Sequence, residues 1–343
     1  MLTNLLPRAV KQLAALVAVG LFAGTFLFSS ISAAQELRIY SNLHKTAQDK
    51  ISEFLTKELS GEIGMPVKSL ALSTGELQAR ILAEAPRIGA DVIIQSDWGT
   101  IKFAQDGLLE AYPSAPAWND IAAFYKEPSG LYYNMGTFSY VLVANKDLLK
   151  EKGYSLPQSY FDLLDPKWKG ELLLPSPVTS GTATLINASV LSLFRDEEDG
   201  WSYLEHLDKN VDQYTKSGGT PITLAARGEF MLGMASDEVV VNLIEEGYPL
   251  VVAPLREGVG VGGNMISIVK GTKRLEAAKK VVNFTGTEKF QRFFAGFGYL
   301  VAREGIPSTL YKIKPKFIKV DAGWAADNRE RILKIWKGKF LKR

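Results

Sequence analysis

The chain has 343 residues, 46% of them hydrophobic and 22% charged, which is the makeup of an ordinary folded protein with room for two sizeable cores and excludes a disordered one. The formal net charge is +3, and without Arg8 and Lys11 of the leader described below it is +1, so no broad basic field exists for a nucleic-acid partner. There is no cysteine, hence no disulfide, thiolate metal site, cysteine nucleophile or lipid-bearing cysteine, and two histidines, His44 and His206, leave little for proton chemistry near neutrality.

Residues 1–34 read as a secretory signal. Arg8 and Lys11 form its basic end, Leu13 to Phe28 its apolar run, and Ser32-Ala33-Ala34 a small-residue cleavage site, so the mature chain is expected to begin at Gln35. The apolar run is near the shortest that spans a bilayer, and an uncleaved anchor is the alternative. Either way the body lies outside the cytoplasm.

Beyond the signal, strand and helix patterns alternate. Leu37 to Tyr40 predicts a strand, Ser41 to His44 a polar loop, and Ile51, Phe54, Leu55 and Leu59 the apolar stripe of a helix. Val67 to Leu72 is a strand, Ser73-Thr74-Gly75 a loop and Glu76 to Glu84 a helix. Ala90 to Gln95 is a buried strand, Ser96 to Gly99 a loop and Ile101 to Gln105 a short helix. Such alternation implies an α/β fold with a mainly parallel sheet, whose carboxyl-end loops gather along one edge. His44, Thr74 and Asp97 are the first half's candidates for that edge.

From Tyr132 to Ser139 the chain leads into a strand, Tyr140 to Ala144, taken as the crossing into a second lobe with Thr137 at the crossing. The alternation then resumes. Leu172 to Leu174 forms a strand and Ser176 to Thr182 an opening onto a helix from Gly181. The loop Lys216 to Thr220, with Ser217 and Gly218, precedes a helix from Pro221 to Arg227. Phe230 to Ala235 is a buried strand ending in Ser236-Asp237-Glu238, and Val239 to Glu246 is a helix. Gly258 to Asn264 is glycine-rich and precedes the strand Met265 to Val269, which returns to the first lobe. The expected division is 35–136 with 265–305 for lobe 1 and 137–264 with 306–343 for lobe 2, joined by a hinge. Ile332, Leu333, Trp336 and Phe340 lie at helical spacing in a basic terminal stretch, read as a helix packed by its apolar face.

The opening at Thr179-Ser180-Gly181-Thr182 has nothing apolar at its mouth. A first helical turn carries unpaired N–H groups and the positive end of the dipole, and three hydroxyls stand beside it. That makes a seat for an anion, or, more simply, a Ser/Thr helix cap.

Several stretches now taken together resemble the periplasmic solute-binding proteins of ABC importers, in the branch holding the ferric-ion, sugar-phosphate, phosphoglycerate and phosphonate binders. They are Leu37 to Lys45, Thr74 to Leu77, Ala90 to Val92, Asp165 to Gly170, Thr179 to Thr182 and Ala225 to Glu229, in family order over nearly the whole mature chain. The resemblance implies a type II periplasmic binding protein fold, two α/β lobes about a hinge, and a monomer that hands a small solute to an inner-membrane ABC permease without a cofactor or catalysis. Ferric-ion binders place a histidine where His44 stands, but the adjacent tyrosines they carry after the strand Phe230 to Ala235 are replaced here by Ser236-Asp237-Glu238. A hard ferric ion wants anionic oxygens, so that loss favours an organic anion, with Thr179, Ser180, Gly181 and Thr182 on its acidic head and His44, Asp237 and Glu238 on the remainder. Three alternatives stand beside this reading: a cation held by His44, Asp97, Asp237 and Glu238; a secreted enzyme with Asp97 or Glu238 as general base; and a sensor that presents its ligand to a membrane receptor instead of a permease. Trp98, Tyr133 and Phe138 are the candidate apolar walls.

Overall fold

The computed structural model describes residues 36–307, 316–318 and 320–341; the expected signal segment, 1–34, lies outside them. β1 (Leu37–Ser41) alternates buried and exposed at its start and pairs in parallel with β2 (Val67–Ala71) on one side and β3 (Val92–Ser96) on the other. α1 (Lys45–Ile63) follows β1 and buries Ile51, Leu55 and Leu59, the apolar stripe at helical spacing. α2 (Thr74–Glu84) follows β2 and begins two residues before the expected start. The cause is a capping box, in which Ser73 Oγ accepts from Glu76 N–H at 3.3 Å and Glu76 Oε2 accepts from Ser73 N–H at 2.9 Å. α3 (Asp97–Gln105) follows β3 without a loop, so the expected loop Ser96 to Gly99 is mostly a first helical turn. A two-residue strand, β4 (Leu109–Glu110), closes this end.

β5 (Tyr133–Asn145) is one strand of 13 residues, buried throughout, and so takes in most of the stretch that was expected only to lead into a shorter strand from Tyr140 to Ala144. Its polar residues are satisfied inside the sheet: Asn134 Oδ1 accepts from Gly136 N–H at 3.1 Å, and Ser139 Oγ donates to Gly260 O at 2.8 Å. After α4 (Lys146–Lys152), the second lobe repeats the pattern of the first. β6 (Leu172–Pro175) leads into α5 (Gly181–Leu193), and after α6 (Glu197–Asp208), β7 (Val211–Thr215) leads into α7 (Thr220–Ala226). β8 (Leu232–Ser236) leads into α8 (Glu238–Glu245), followed by β9 (Leu250–Val252). β6 pairs in parallel with β7 and β8.

β10 (Val259–Val269) is also longer than expected, because the glycine-rich run belongs to it. Those glycines serve close packing: a Cβ on Gly262 would come within 2.7 Å of the Phe138 ring, and one on Gly260 would overlap Ser189 Oγ. α9 (Leu275–Thr285), α10 (Glu288–Ala295), β11 (Leu300–Val301), β12 (Phe317–Ile318) and α11 (Ala322–Phe340) complete the described chain. The main sheet order is β2-β1-β3-β10-β5-β8-β6-β7. Each end is parallel as expected, while β5 and β10 run antiparallel through the middle. β5 pairs with β10 up to Ser139 and with β8 from Tyr140, and β10 changes register between Asn264 and Met265, so these two strands form the link between the lobes.

α11 straddles that link. At one end Arg329 lies 4.5 Å over the Trp98 ring and Asp327 Oδ1 accepts from Gln105 Nε2 at 2.9 Å. Further along, Arg331 holds Glu197 at 2.7 and 2.9 Å, and Trp336 meets Tyr214 edge-on at 4.9 Å.

Candidate ligand-binding cleft

A strand that runs into a helix delivers the helix's unpaired N–H groups to the strand's carboxyl end. Five such junctions meet around one cleft of about 680 Å³: β1 to α1, β2 to α2, β6 to α5, β7 to α7 and β8 to α8. The cleft therefore has the positive ends of helices around it, taken from both lobes. Phe138, Asn264 and Tyr299 complete it from the linking strands and the segment before β11.

Of the candidates from sequence, His44, Thr74, Thr179, Ser180, Gly181, Thr182, Ser217, Gly218 and Glu238 line this cleft. Asp97, Thr137 and Asp237 do not. Asp97 opens α3, where Oδ1 accepts from Trp98 N–H at 2.8 Å and Oδ2 from Gly263 N–H at 3.1 Å; burial raises its pKa to about 6. Thr137 Oγ1 donates to Leu300 O at 3.4 Å within the sheet. Asp237 Oδ2 accepts from Ser139 N–H at 3.0 Å, and its Oδ1 is buried with no partner among the described residues. Burial, and then the charge of Glu238, push Asp237 up to about 8. His44, Asp97, Asp237 and Glu238 thus do not converge, and among the described residues no group of three or more His, Cys, Asp or Glu is placed to hold a metal ion.

Of the expected aromatic walls only Phe138 lines the cleft. Trp98 packs against Ala325 and Ala326 of α11, and the Tyr133 ring lies against Trp118 at 4.7 Å and a 31° tilt, its hydroxyl donating to Tyr112 O. Both are packing residues.

The α5 opening has a definite inventory of donors. Ser180 Oγ caps the helix by accepting from Ala183 N–H at 3.3 Å, and Gly181 N–H donates to Thr74 Oγ1 at 3.1 Å. The amide of Thr182 has no acceptor among the described residues. Thr179 Oγ1 donates to Lys216 O at 2.7 Å, which ties the α5 opening to the loop before α7 and uses up that hydroxyl's hydrogen. Ser180 and Thr182 are 5% and 8% exposed, and neither hydroxyl donates to a group among the described residues. Gly218 stands so near that a Cβ there would come within 2.7 Å of Thr182 Oγ1 and 2.9 Å of Ser180 Oγ. This wall of the cleft offers hydrogen-bond donors that the protein does not consume.

Beside these donors, at the end of β8, stands a carboxyl group. Glu238 Oε2 accepts from Ser236 Oγ at 2.6 Å; burial raises its pKa, with the hydrogen bonds from Ser236 and Tyr299 working the other way. Burial and that carboxylate in turn hold the Tyr299 hydroxyl well above the ordinary phenol range, so it remains a donor. At the rim, Lys216 Nζ donates to Glu76 Oε1 at 2.9 Å, and this bond, with those from Ser73, lowers Glu76 to about 2. Asn264 and Tyr299 escaped the sequence reading. Asn264 ends a glycine run just before the expected strand, and Tyr299 belongs to no local motif.

The model for the family "Bacterial extracellular solute-binding protein" matches residues 89–321, more than half of the chain. Among solved structures, the periplasmic binding protein AfuA from Actinobacillus pleuropneumoniae, with exogenous fructose-6-phosphate bound, aligns with a TM-score of 0.82 at 27% identity, covering 90% of this chain and 99% of that one. Among curated relatives, iron uptake protein A1 of Synechocystis is 24% identical over 278 residues, 77% of this chain and 75% of its own. A putative 2-aminoethylphosphonate-binding periplasmic protein of Salmonella typhimurium is 23% identical over 236 residues, 66% of each chain. The fold is that of the type II periplasmic binding proteins, and the chain belongs to the bacterial extracellular solute-binding proteins.

Proposed function

We propose that this protein is the periplasmic capture component of an ABC importer and takes a small organic anion with a phosphoryl or phosphonyl head. The observation that carries this reading is the α5 opening, where the Thr182 amide and the Ser180 and Thr182 hydroxyls lack protein acceptors inside a cleft ringed by helix starts. A tetrahedral oxyanion accepts hydrogen bonds at each oxygen, which suits a wall that presents a free amide N–H and two hydroxyl hydrogens. Glu238 then takes donors from the solute's other end. AfuA, with fructose-6-phosphate, and the putative phosphonate binder are consistent with a solute of this shape.

The named iron relative has a counterpart reading, but the donor set does not favour it. A hard cation wants several anionic oxygens, whereas Asp97 and Asp237 point elsewhere and Tyr299 is kept protonated. Capture needs no bond-making step. The solute touches both lobes only when they are together, so it shifts the open-to-closed equilibrium by its differential affinity and presents the closed form to a permease. The protein is expected to act as a monomer.

Calorimetry with fructose 6-phosphate, 2-aminoethylphosphonate and inorganic phosphate tests the reading. Replacing Ser180 and Thr182 together by alanine removes donors to a charged acceptor and should weaken the best of these solutes by roughly 100-fold. Unchanged binding in that double variant would remove the anion assignment.

A further inference from the structure

The lobes meet beside the anion seat. Thr74 Oγ1 accepts from Asn42 Nδ2 of its own lobe at 3.0 Å and from Gly181 N–H of the other lobe at 3.1 Å. A hydroxyl oxygen has two lone pairs and one hydrogen. Both lone pairs are thus engaged, and among the described residues the hydrogen has no acceptor. Thr74 is 5% exposed and lines the cleft, so that hydrogen is left for a solute atom.

Its neighbours show that this meeting is built in. Gly75 N–H reaches Thr179 O at 3.4 Å, and a Cβ on Gly75 would fall on the carbonyl oxygen of Val178 and 3.5 Å from Thr179 Cα. Only glycine lets the two backbones approach there. Glu76 completes the contact through Lys216. Three successive residues at the start of α2 each touch the second lobe.

We infer that Thr74 is the residue through which anion capture closes the cleft. Accepting two hydrogen bonds polarises its O–H and fixes its direction, and one of those bonds exists only when the lobes have met. Thr74 stands on the first lobe and the anion seat on the second, so a solute held at the α5 opening reaches this third bond only once the lobes have met, which is what a ligand needs in order to drive closure. The group seated against Thr74 must be an acceptor, an ionised oxygen of the head, since an ammonium would set donor against donor. This inference rests on the anionic reading above and specifies how that site closes.

The experiment compares the wild type with Gly75→Ala, Thr74→Val and Thr74→Ser, using inorganic phosphate and fructose 6-phosphate as probes, affinity by calorimetry and compaction by small-angle scattering. Alanine is a better helix residue than glycine, so Gly75→Ala should unfold at the same or a higher urea concentration. Its affinity should nevertheless fall at least tenfold and its compaction on adding solute should be lost. Thr74→Val should lose roughly 10- to 100-fold in affinity, the range for a hydrogen bond to a charged group, and Thr74→Ser should stay within about threefold of the wild type. If the wild type binds a probe and either Gly75→Ala or Thr74→Val binds and compacts equally well, this inference is overturned and the anionic reading stands. If the wild type binds neither of these probes nor 2-aminoethylphosphonate, both fall.

Discussion

Asp237→Asn gives the sharpest energetic test of the structure. Asp237 is 1% exposed, its Oδ1 has no partner among the described residues, and its pKa is pushed up to about 8 by burial and by Glu238. In the unfolded chain the same carboxyl titrates near 4, as an ordinary aspartate does. Between these values the folded protein holds a proton that the unfolded chain releases, so stability is greatest below about pH 4 and is lost as pH rises through about 8. At pH 7 the difference is about 3 pH units at about 1.4 kcal/mol each, on the order of 4 kcal/mol. Asparagine cannot ionise and keeps an oxygen for the Ser139 N–H. Asp237→Asn should therefore be more stable than the wild type by a few kcal/mol at pH 7 and about equal near pH 4, by urea unfolding without added solute. Stability curves that run parallel for the two proteins from pH 4 to 8 would refute the reasoning, because they would mean that Asp237 ionises in the fold without penalty.

Two further outcomes follow from packing. Gly218→Ala places a Cβ within 2.7 Å of Thr182 Oγ1 and 2.9 Å of Ser180 Oγ, so calorimetry should show affinity for the best phosphate ester falling on the order of tenfold, with the urea midpoint nearly unchanged. Trp336→Ala empties a 2%-exposed site that faces Tyr214, and should cost about 3–5 kcal/mol in chemical unfolding, the usual range for deleting a large buried aromatic.

What the sequence made legible was the rhythm of strand and helix and the polar junctions between them. Leu37 to Tyr40, Val67 to Leu72 and Leu172 to Leu174 became strands that run into helices, because an apolar stripe at Ile51, Leu55 and Leu59, or a Ser-Gly-Thr opening, is local information. The misreadings came from contacts far apart in the chain. The strand was expected to start at Met265, after the glycine run, yet the run belongs to β10, with Gly260 and Gly262 small to admit Ser189 and Phe138. Asp97 occupies the same strand-to-helix position as the cleft residues, but its carboxylate turns to Gly263 on β10. Ser73 and Glu76 carried a capping signal that sets the start of α2 at Thr74, and it is this start that brings Thr74 and Gly75 against α5.

The claim at the centre is that the cleft holds a small organic anion by the donors at the start of α5. Native mass spectrometry of the protein released from the periplasm without refolding measures this most directly. The account predicts one equivalent of a phosphorus-containing molecule, lost together with binding in the Ser180 and Thr182 double alanine variant. One equivalent of iron, retained in that variant, would contradict it.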